Sequence, residues 1–353
     1  MTLSVKNPIM PIDIADIQAF KGGKIIFLTG HEGEKIVLKT ELGTSVANVK
    51  NAKAVMKAID PSIKTKIVTK EELGYLLDWA TAALEIESAF DQLPQDEKID
   101  KGPGLKNIRK ESLQALKAAL TEWGDRIDAQ DDINAAQSPL IKLNYIDVKD
   151  IGSEIEKRLN EEKKDKSGVR AFVRALNAPG GFETLGKVIA ADLVNDNRDR
   201  FALDGGWSPK IGGRTFAFKA LVNPGNVFIK IASHGASSIS GLDFIEPGRV
   251  QNKDINLPLK DDHSIHHLSA KEIRAKLAAD VVADLELLVN PKRGRFSFNK
   301  LDSNAAKRLQ AGMVEGAQLI AAELDRKYRS KPEKGNRWTQ GVLERYELLR
   351  AVR

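Results

Sequence analysis

The chain of 353 residues contains no cysteine. Disulfide bonds, thiolate nucleophiles and cysteine-ligated zinc or iron–sulfur sites are therefore excluded. Aromatic residues make up only 6% of the chain and are not interleaved with the basic residues near its C-terminus, which argues against binding single-stranded nucleic acid by stacking. No apolar run approaches the roughly 18 residues of a membrane span, and no cleavable signal peptide is visible. We expect a soluble protein.

Apolar residues account for 42% of the chain and charged residues for 29%, as in ordinary globular proteins. The net charge is +6, and its distribution is uneven. Residues 269–353 contain 18 basic and 11 acidic side chains, which leaves −1 for the first 268 residues. Basic clusters at helix ends complement the helix dipole, but they could also dock on an acidic protein or an anionic membrane surface. Both interpretations of residues 269–353 stay open.

The order of predicted elements favours an α+β fold and not alternating βαβ units. Two β-branched segments, 24–29 and 35–39, predict a hairpin joined by Gly30 to Gly33. Capping-box spacing predicts helices that begin after Thr69, Ser153 and Ser269, each three residues before a glutamate. Further helices are expected near residues 105–124, 182–194, 303–329 and 337–351. Further strands are expected near residues 140–146, 214–222, 226–232 and 238–244.

Three features of the sequence could carry chemistry. Lys39 closes the second hairpin strand, where a lysine could reach phosphates covered by the adjacent glycine turn, or could simply face solvent. Asn226 and Asp243 stand close to the ends of strands and offer the hard oxygen ligands that Mg²⁺ prefers. Each of these two is also an ordinary turn or strand-end residue. The polar cluster Asn197-Arg198-Asp199-Arg200 ends an apolar helix where the helix dipole disfavours anions.

The segment from Leu185 to Arg200 resembles the catalytic stretch of the actin-fragmin kinase family, which reads Leu-Gly, an apolar helix and then Asn-x-Asp-Arg. Gly225-Asn226 before an apolar strand and Leu242-Asp243 are similar to the family's later motifs. That family belongs to the atypical, phosphoinositide-3-kinase-like kinases, and bacterial effectors delivered into host cells carry relatives of its domain. The resemblance implies a two-lobed kinase-like fold, with an N-lobe over residues 1–146 and a mostly helical C-lobe over residues 147–353.

By this resemblance, Asp199 would orient and deprotonate the acceptor hydroxyl, and Arg200 would support its loop. Asn226 and Asp243 would hold Mg²⁺. Lys39 would contact the α- and β-phosphates of ATP, with Gly30 and Gly33 letting the hairpin backbone approach them. The expected activity is ATP- and Mg²⁺-dependent transfer of a phosphoryl group to a protein hydroxyl. The resemblance suggests actin or another host protein as substrate, for an effector secreted without a cleaved signal, with the bacterial cytoplasm as the alternative location.

One departure from kinases keeps alternatives open. Protein kinases pair the strand lysine with a helix glutamate, yet the helix-like run over residues 44–59 contains no glutamate. The candidates for this partner are then Glu72, Glu85 and Glu87. A missing partner would favour a non-catalytic, pseudokinase-like binding module that docks through its basic tail. Nucleotidyl transfer by the same site is a third hypothesis. His263, His266 and His267 are expected in a surface loop, and not as metal ligands.

Overall fold

The computed structural model describes residues 3–20, 24–94, 105, 108–160, 167–195, 197, 200, 210–211, 214–215, 222–231, 237–240, 269–290 and 300–328. The chain is a mixed α+β protein that divides into two compact units. The first unit comprises Met1–Lys50 and Ile63–Tyr145, and the second comprises Asn51–Ser62 and Ile146–Arg353. Within the described residues, no helix has the length and apolar character needed to cross a lipid bilayer.

The first unit is built on a five-stranded antiparallel sheet in the order β1-β2-β3-β5-β4. Its strands are β1 (Ile14–Phe20), β2 (Ile25–Gly30), β3 (Lys35–Thr40), β4 (Thr65–Ile67) and β5 (Leu140–Asn144). Its helices are α2 (Lys70–Gln92) and α3 (Lys110–Asp128), and α1 (Val46–Ile59) begins in this unit.

One face of this sheet forms the core of the first unit. The side chains of Ile26, Leu28, Ile36 and Leu38 alternate with half-exposed neighbours, because successive strand residues point to opposite faces. They pack in one cluster with leucines of α2 and α3. Trp123 of α3 is fully buried there and donates its ring N–H to the carbonyl of Val68 at 3.0 Å. The two helices therefore cover one face of the sheet.

Sequence patterns predicted most of this unit. The hairpin of β2 and β3 is confirmed, as is the capping box of Thr69 and Glu72. The helix expected at residues 105–124 begins later, at Lys110, and continues past Gly124 to Asp128. The strand at Ile14–Phe20 was not predicted from the sequence.

The second unit combines a three-stranded sheet, in the order β10-β9-β6, with five helices among its described residues. The strands are β6 (Val148–Asp150), β7 (Lys210–Ile211), β8 (Arg214–Thr215), β9 (Phe228–Ile231) and β10 (Ser237–Ser240), with β7 and β8 forming a separate pair. The helices are α4 (Ile151–Asn160), α5 (Ser167–Asn177), α6 (Gly181–Asn195), α7 (Ala270–Val289) and α8 (Ala305–Tyr328).

The predicted helices 182–194, 270–290 and 303–329 correspond to α6, α7 and α8, and the capping box of Ser269 and Glu272 is confirmed. The capping box at Ser153 is wrong. Helix α4 already begins at Ile151, and the carboxylate of Asp150 accepts the backbone N–H of Ser153 at 2.7 Å. The cap therefore comes from Asp150. The helix expected at residues 337–351 lies outside the described residues.

Helices α6 and α8 pack unusually closely through glycines. A Cβ atom added to Gly312 of α8 would lie 2.0 Å from the carbonyl oxygen of Glu183, and one added to Gly186 of α6 would lie 2.2 Å from that of Leu309. Only glycine permits such an approach of two backbones. This contact sets the position of α6, the helix that leads into the polar cluster at residues 197–200.

Candidate functional site

Lys39 lies on β3 and points away from the helix-covered face of the sheet. Its neighbour Leu38 is buried in the core, so Lys39 occupies the opposite face, with 26% of its side chain exposed. Its Nζ lies 3.1 Å from Oε1 of Glu41, whose side chain is only 7% exposed. Residues two apart in an extended chain project to the same side, which explains the pairing. The ammonium group of Lys39 is thus held by a carboxylate close to it in sequence.

The glycine turn does not lie beside Lys39, and the expectation that placed it there is wrong. Gly30 and Gly33 close the end of the hairpin at Lys35, about 13 Å along β3 from Lys39 at ~3.3 Å per residue. Lys39 instead pairs in register with Ile25, and the N–H of Thr40 donates to the carbonyl of Lys24 at 3.3 Å. Lys39 therefore stands at the end of the sheet where β2 begins, beside Lys24 and Ile25.

The carboxylate of Glu34 lies at the turn of Gly30 and Gly33. Gly33 has a φ of +83°, which explains why glycine stands there. The carboxylate of Glu34 accepts the backbone N–H groups of Leu3 at 2.7 Å and Glu32 at 3.0 Å. These backbone hydrogen bonds, the one from Leu3 first, lower the pKa of Glu34. A phosphate at this turn would have to displace a carboxylate.

Glu72, one of the three candidate partners of Lys39, pairs with Lys142. Nζ of Lys142 on β5 lies 2.6 Å from Oε1 of Glu72 at the start of α2, and both side chains are almost fully buried. The same carboxylate oxygen accepts the N–H of Ile9, and Lys142 also donates to the carbonyl of Asn7, each at 2.6 Å. Burial is the largest effect on Lys142 and lowers its pKa.

The other two glutamates proposed as partners lie on α2. Glu85 is exposed and Glu87 is buried. Helix α1 carries no acidic residue. The described carboxylate that neutralises Lys39 therefore comes from Glu41.

Arg200 of the second unit is buried, and its hydrogen bonds connect a helix, a loop and a turn. Its side chain is 1% exposed, and its Nε donates to Oδ2 of Asp192 on α6 at 2.6 Å. Its Nη1 donates to the backbone carbonyl of Asn226, and its own carbonyl accepts the N–H of Asn223 at 2.8 Å. Arg200 therefore connects the end of α6 to the turn that carries Asn226.

Asp192 is held at a helix end where the dipole would otherwise disfavour it. Besides the bond from Arg200, its Oδ1 accepts the side-chain amide of Asn197 at 3.0 Å. Its backbone carbonyl accepts the N–H of Asn197 at 2.8 Å. These donors explain why an aspartate is buried in the last turn of α6, because a charged guanidinium offsets the unfavourable dipole. They also hold Asn197 and Arg200, which flank the predicted catalytic Asp199.

The turn before β9 presents Asn226 on a short 3₁₀ helix (Pro224–Asn226). The side chain of Asn223 accepts the N–H of Gly225 at 3.1 Å, and the N–H of Asn226 donates to the carbonyl of Asn223 at 3.1 Å. A Cβ atom at Gly152 would lie 2.9 Å from the nitrogen of Gly225, so the start of α4 packs directly on this turn. The half-buried Asn226 is thus held on a well-supported turn.

The structure brings Arg200 and Asn226 together in the second unit, and it places Lys39, Gly30 and Gly33 in the first. Asp199 and Asp243 lie outside the described residues, as do His263, His266 and His267. No group of three or more potential metal ligands occurs in the described part of the chain. A cavity of about 530 Å³ in the first unit is lined by β1 with Arg109 and Ser112, and contains none of the predicted site residues.

Sequence reasoning missed the role of two acidic residues. Glu41 was not among the predicted partners of Lys39, although the two-residue period of an extended chain indicates it. Asp192 was noticed only as an anion at an unfavourable helix end. The signal that could have identified its partner is Arg200, eight residues later in the same polar cluster.

Comparison with protein-family models, curated proteins and solved structures found no match for this chain.

Proposed function

We propose that this protein is an ATP- and Mg²⁺-dependent phosphotransferase that acts on a protein hydroxyl. Its two units would serve as the N-lobe and C-lobe of a kinase-like fold. Asp199 would position and deprotonate the acceptor hydroxyl, and Asn226 and Asp243 would hold Mg²⁺. Lys39 would contact the α- and β-phosphates. Phosphoryl transfer depends on positioning and charge neutralisation, and bound Mg²⁺ would neutralise charge on the phosphates.

The observation that carries this proposal is the set of hydrogen bonds formed by the buried side chain of Arg200. A buried guanidinium that binds Asp192 and the carbonyl of Asn226 couples the proposed catalytic loop to the proposed metal-binding turn. Burial without good pairing is costly, so such a buried guanidinium is retained where backbone geometry matters. The amide oxygen of Asn226 is a hard donor of the kind that suits Mg²⁺. This arrangement fits a site that must hold the proposed catalytic loop and the side chain of Asn226 in fixed relative positions.

The first unit adds independent support. In protein kinases the phosphate-binding lysine lies on the third strand, and the loop that covers the phosphates joins the strands before it. Lys39 lies on the third strand here, beside Lys24 and Ile25 at the start of β2. Phosphate covering would then fall to the chain just before β2, and not to the turn at Gly30 and Gly33. Glu41 would take the place of the helix glutamate.

The pairing of Lys39 can be tested apart from catalysis. We expect MgATP to protect Lys39 from an amine-acylating reagent, as measured by peptide mass spectrometry. Replacing Glu41 with Gln removes the carboxylate that holds the ammonium group of Lys39, so the side chain should be more accessible and react faster in the absence of nucleotide. Unchanged reactivity of Lys39 with MgATP would remove it from the nucleotide site. Unchanged reactivity in the Glu41→Gln variant would remove Glu41 as its partner.

A second function is favoured by one observation. Lys39 pairs with Glu41 of its own strand segment, and α1 carries no acidic residue, whereas protein kinases pair this lysine with a helix glutamate. The alternative is therefore a non-catalytic module that binds an acidic protein or an anionic membrane through the basic residues of 269–353. Thermal unfolding with and without nucleotide and Mg²⁺ distinguishes the two. No shift with any nucleotide would favour the module.

The chemistry of the transferred group needs its own readout. Intact-mass analysis of the acceptor protein separates addition of a phosphoryl group from addition of a nucleotidyl group. The proposal of a kinase predicts the phosphoryl mass. The acceptors to try first are purified actin and a mixture of host proteins, because actin is suggested by the resemblance of residues 185–243.

A further inference from the structure

Strand β1 forms one edge of the sheet in the first unit, and among the described strands it pairs only with β2. On β2, the N–H of Gly30 donates to the carbonyl of Glu34 at 2.7 Å. At the other end, the carbonyl of Lys24 accepts the N–H of Thr40 at 3.3 Å. Backbone groups alternate in direction along an antiparallel strand. Even-numbered residues of β2 therefore bond to β3, and odd-numbered residues bond to β1.

The outer edge of β1 follows from this alternation. Residues 16, 18 and 20 pair in register with odd-numbered residues of β2, so Ile17 and Ala19 direct their N–H and carbonyl groups away from the sheet. The N–H of Ile17 accordingly donates to Oδ1 of Asp16, at 2.8 Å. Among the described residues, the N–H of Ala19 finds no acceptor and the carbonyls of Ile17 and Ala19 find no donor. The edge is therefore open to a further strand.

The cavity of about 530 Å³ lies against this edge, because five consecutive residues of β1, 16–20, line it. The start of α3 lines it as well, through Arg109 and Ser112. Arg109 is exposed, and its guanidinium forms no hydrogen bond or ion pair within the described part of the chain. Only 7% of Ser112 is exposed, and its hydroxyl has no partner among the same residues. Two side-chain donors therefore stand ready at the cavity.

Helix α3 begins without the cap that other helices have. Helices α2 and α7 begin with capping boxes, and Asp150 caps α4, whereas Arg109 at the N-cap of α3 forms no side-chain cap hydrogen bond. In the described chain, the backbone N–H groups of Lys110 and Glu111 have no acceptor. The helix dipole adds partial positive charge at this point, beside the guanidinium. A carboxylate bound here would complete the cap and pair with Arg109.

We propose that the outer edge of β1 binds an extended acidic peptide of a partner protein. The peptide adds a strand to the sheet and satisfies the outward backbone groups of Ile17 and Ala19. Side chains of a strand alternate between the two faces, so every second side chain of the peptide faces the side of the sheet that α3 covers. An acidic side chain there accepts from Arg109, from Ser112 and from the start of α3. The inference does not depend on the proposed function, because a kinase and a binding module could each dock a partner in this way.

Asp16 makes this edge selective. Its carboxylate accepts the N–H of Ile17 and, through Oδ2, the side-chain amide of Gln18 at 3.0 Å. Charged side chains on edge strands oppose indiscriminate pairing with other chains. An incoming strand must replace the carboxylate of Asp16 by a carbonyl at Ile17, and the contact with Arg109 offsets that cost. A peptide without a carboxylate for Arg109 lacks this compensation.

The test uses the full chain and a display library of random peptides of about ten residues, long enough to cover the edge of β1. We expect enriched peptides to share an acidic residue. Fluorescence anisotropy then measures the Kd of one enriched peptide for the wild type and three variants. Arg109→Met should weaken binding about tenfold or more, and Ser112→Ala about threefold. Arg170→Met, which alters an exposed arginine of α5, is the matched control and should bind as the wild type does.

Backbone pairing needs a separate readout. Each amide nitrogen of the enriched peptide is methylated in turn, which removes one N–H group at a time. Only alternate N–H groups of an added strand face β1, so the loss of affinity should recur at every second residue. The contact with Arg109 is tested by a charge exchange. A peptide with lysine in place of its acidic residue should bind Arg109→Glu better than it binds the wild type.

Several results would overturn the inference. One is equal affinity of the peptide for the wild type and Arg109→Met, with circular dichroism confirming that both are folded. Another is a pattern of N-methylation losses without the two-residue period, and a third is a library that yields no enriched peptide. Light scattering tests whether a second copy of the chain takes the place of the peptide. A dimer of the free chain that dissociates in Arg109→Met would assign the edge to self-association and contradict the proposal.

Discussion

Two lysines on neighbouring strands of one sheet, each paired with a glutamate, face in opposite directions. Lys142 and Glu72 lie on the face covered by α2, with about 2% and 1% of their side chains exposed. Lys39 and Glu41 lie on the opposite side of the sheet, and the side chain of Lys39 is 26% exposed. The first lysine is enclosed by backbone carbonyl and carboxylate oxygens, whereas the second can still be reached from solvent. The two pairs should therefore have different roles.

The difference shows that the role of a lysine on this sheet cannot be assigned from its ion pair alone. The buried pair also holds the N-terminal segment, because Ile9 donates to Glu72 and Asn7 accepts from Lys142. Such a pair is expected to contribute to folding specificity, and its rupture is expected to be destabilising. The pair at Lys39 is expected to contribute little to stability and much to ligand binding.

The largest expected effect follows replacement of Lys142 with Met. This change leaves the carboxylate of Glu72 buried without its counter-charge, so the free energy of unfolding should fall by about 3–5 kcal/mol. Urea denaturation followed by circular dichroism measures it. The matched control is Lys70→Met, which breaks an exposed pair with Asp128 and should cost less than ~0.5 kcal/mol. Similar losses in the two variants would contradict the distinction.

The next effect concerns nucleotide binding. Replacing Lys39 with Met should weaken MgATP binding by about tenfold or more, or ~1.4 kcal/mol, while stability changes by under ~1 kcal/mol. Titration calorimetry measures the affinity. Lys35→Met is the control, because Lys35 lies on the same strand beside the turn at Gly33. A loss of affinity only in Lys35→Met would indicate that the phosphates bind at the turn of Gly30 and Gly33.

A smaller effect is expected when both partners of the buried pair are replaced by apolar residues. In the double variant Lys142→Met, Glu72→Leu no uncompensated charge remains, so most of the loss seen in Lys142→Met should be recovered. What is still missing should reflect the backbone donors of Ile9 and Thr69 that lose their acceptor. A double variant no more stable than Lys142→Met would mean that the charge of Glu72 is not what makes the single change costly.

The smallest effect is a dependence of stability on pH. Burial lowers the pKa of Lys142 in the folded chain, so just below pH 10.5 the unfolded chain binds more protons at this residue. Its contribution to the free energy of unfolding should therefore rise with pH in that window. The measurement is the difference in unfolding free energy between the wild type and Lys142→Met across the window. A difference that falls with increasing pH would contradict the direction of the pKa shift.

Local patterns predicted the elements of this fold better than their assembly. The hairpin of β2 and β3 and the capping boxes at Thr69 and Ser269 follow from short-range chemistry, and the structure confirms them. The start of α4 was misplaced because Asp150 competes with Ser153 for the role of cap. The pairing of β5 with both β3 and β4 could not be predicted from the sequence, since Lys142 of β5 pairs with Leu38 of β3 and with Lys66 of β4, both far from it along the chain.

The candidate site shows the same limit. The residue types at Lys39, Arg200 and Asn226 could be selected from sequence, and their roles there remain predictions. The position of the glycine turn relative to Lys39 could not be predicted from the sequence. A hairpin has two ends, and only the strand register decides which end is near Lys39. The contact of Arg200 with Asn226 spans 26 residues and depends on how the turn before β9 packs on α4. Tertiary packing supplied both pieces of information.

The most direct test of the account is transfer of the γ-phosphate from labelled ATP, with Mg²⁺, to purified actin and to a mixture of host proteins. The wild type should transfer phosphate, and Asp243→Ala and Asp199→Ala should each lose transfer by at least a hundredfold, on the scale of general base catalysis and metal positioning. Circular dichroism would confirm that both variants fold. Transfer that is unchanged in Asp243→Ala, or absent from a wild type that also fails to bind MgATP, would contradict the proposed phosphotransferase.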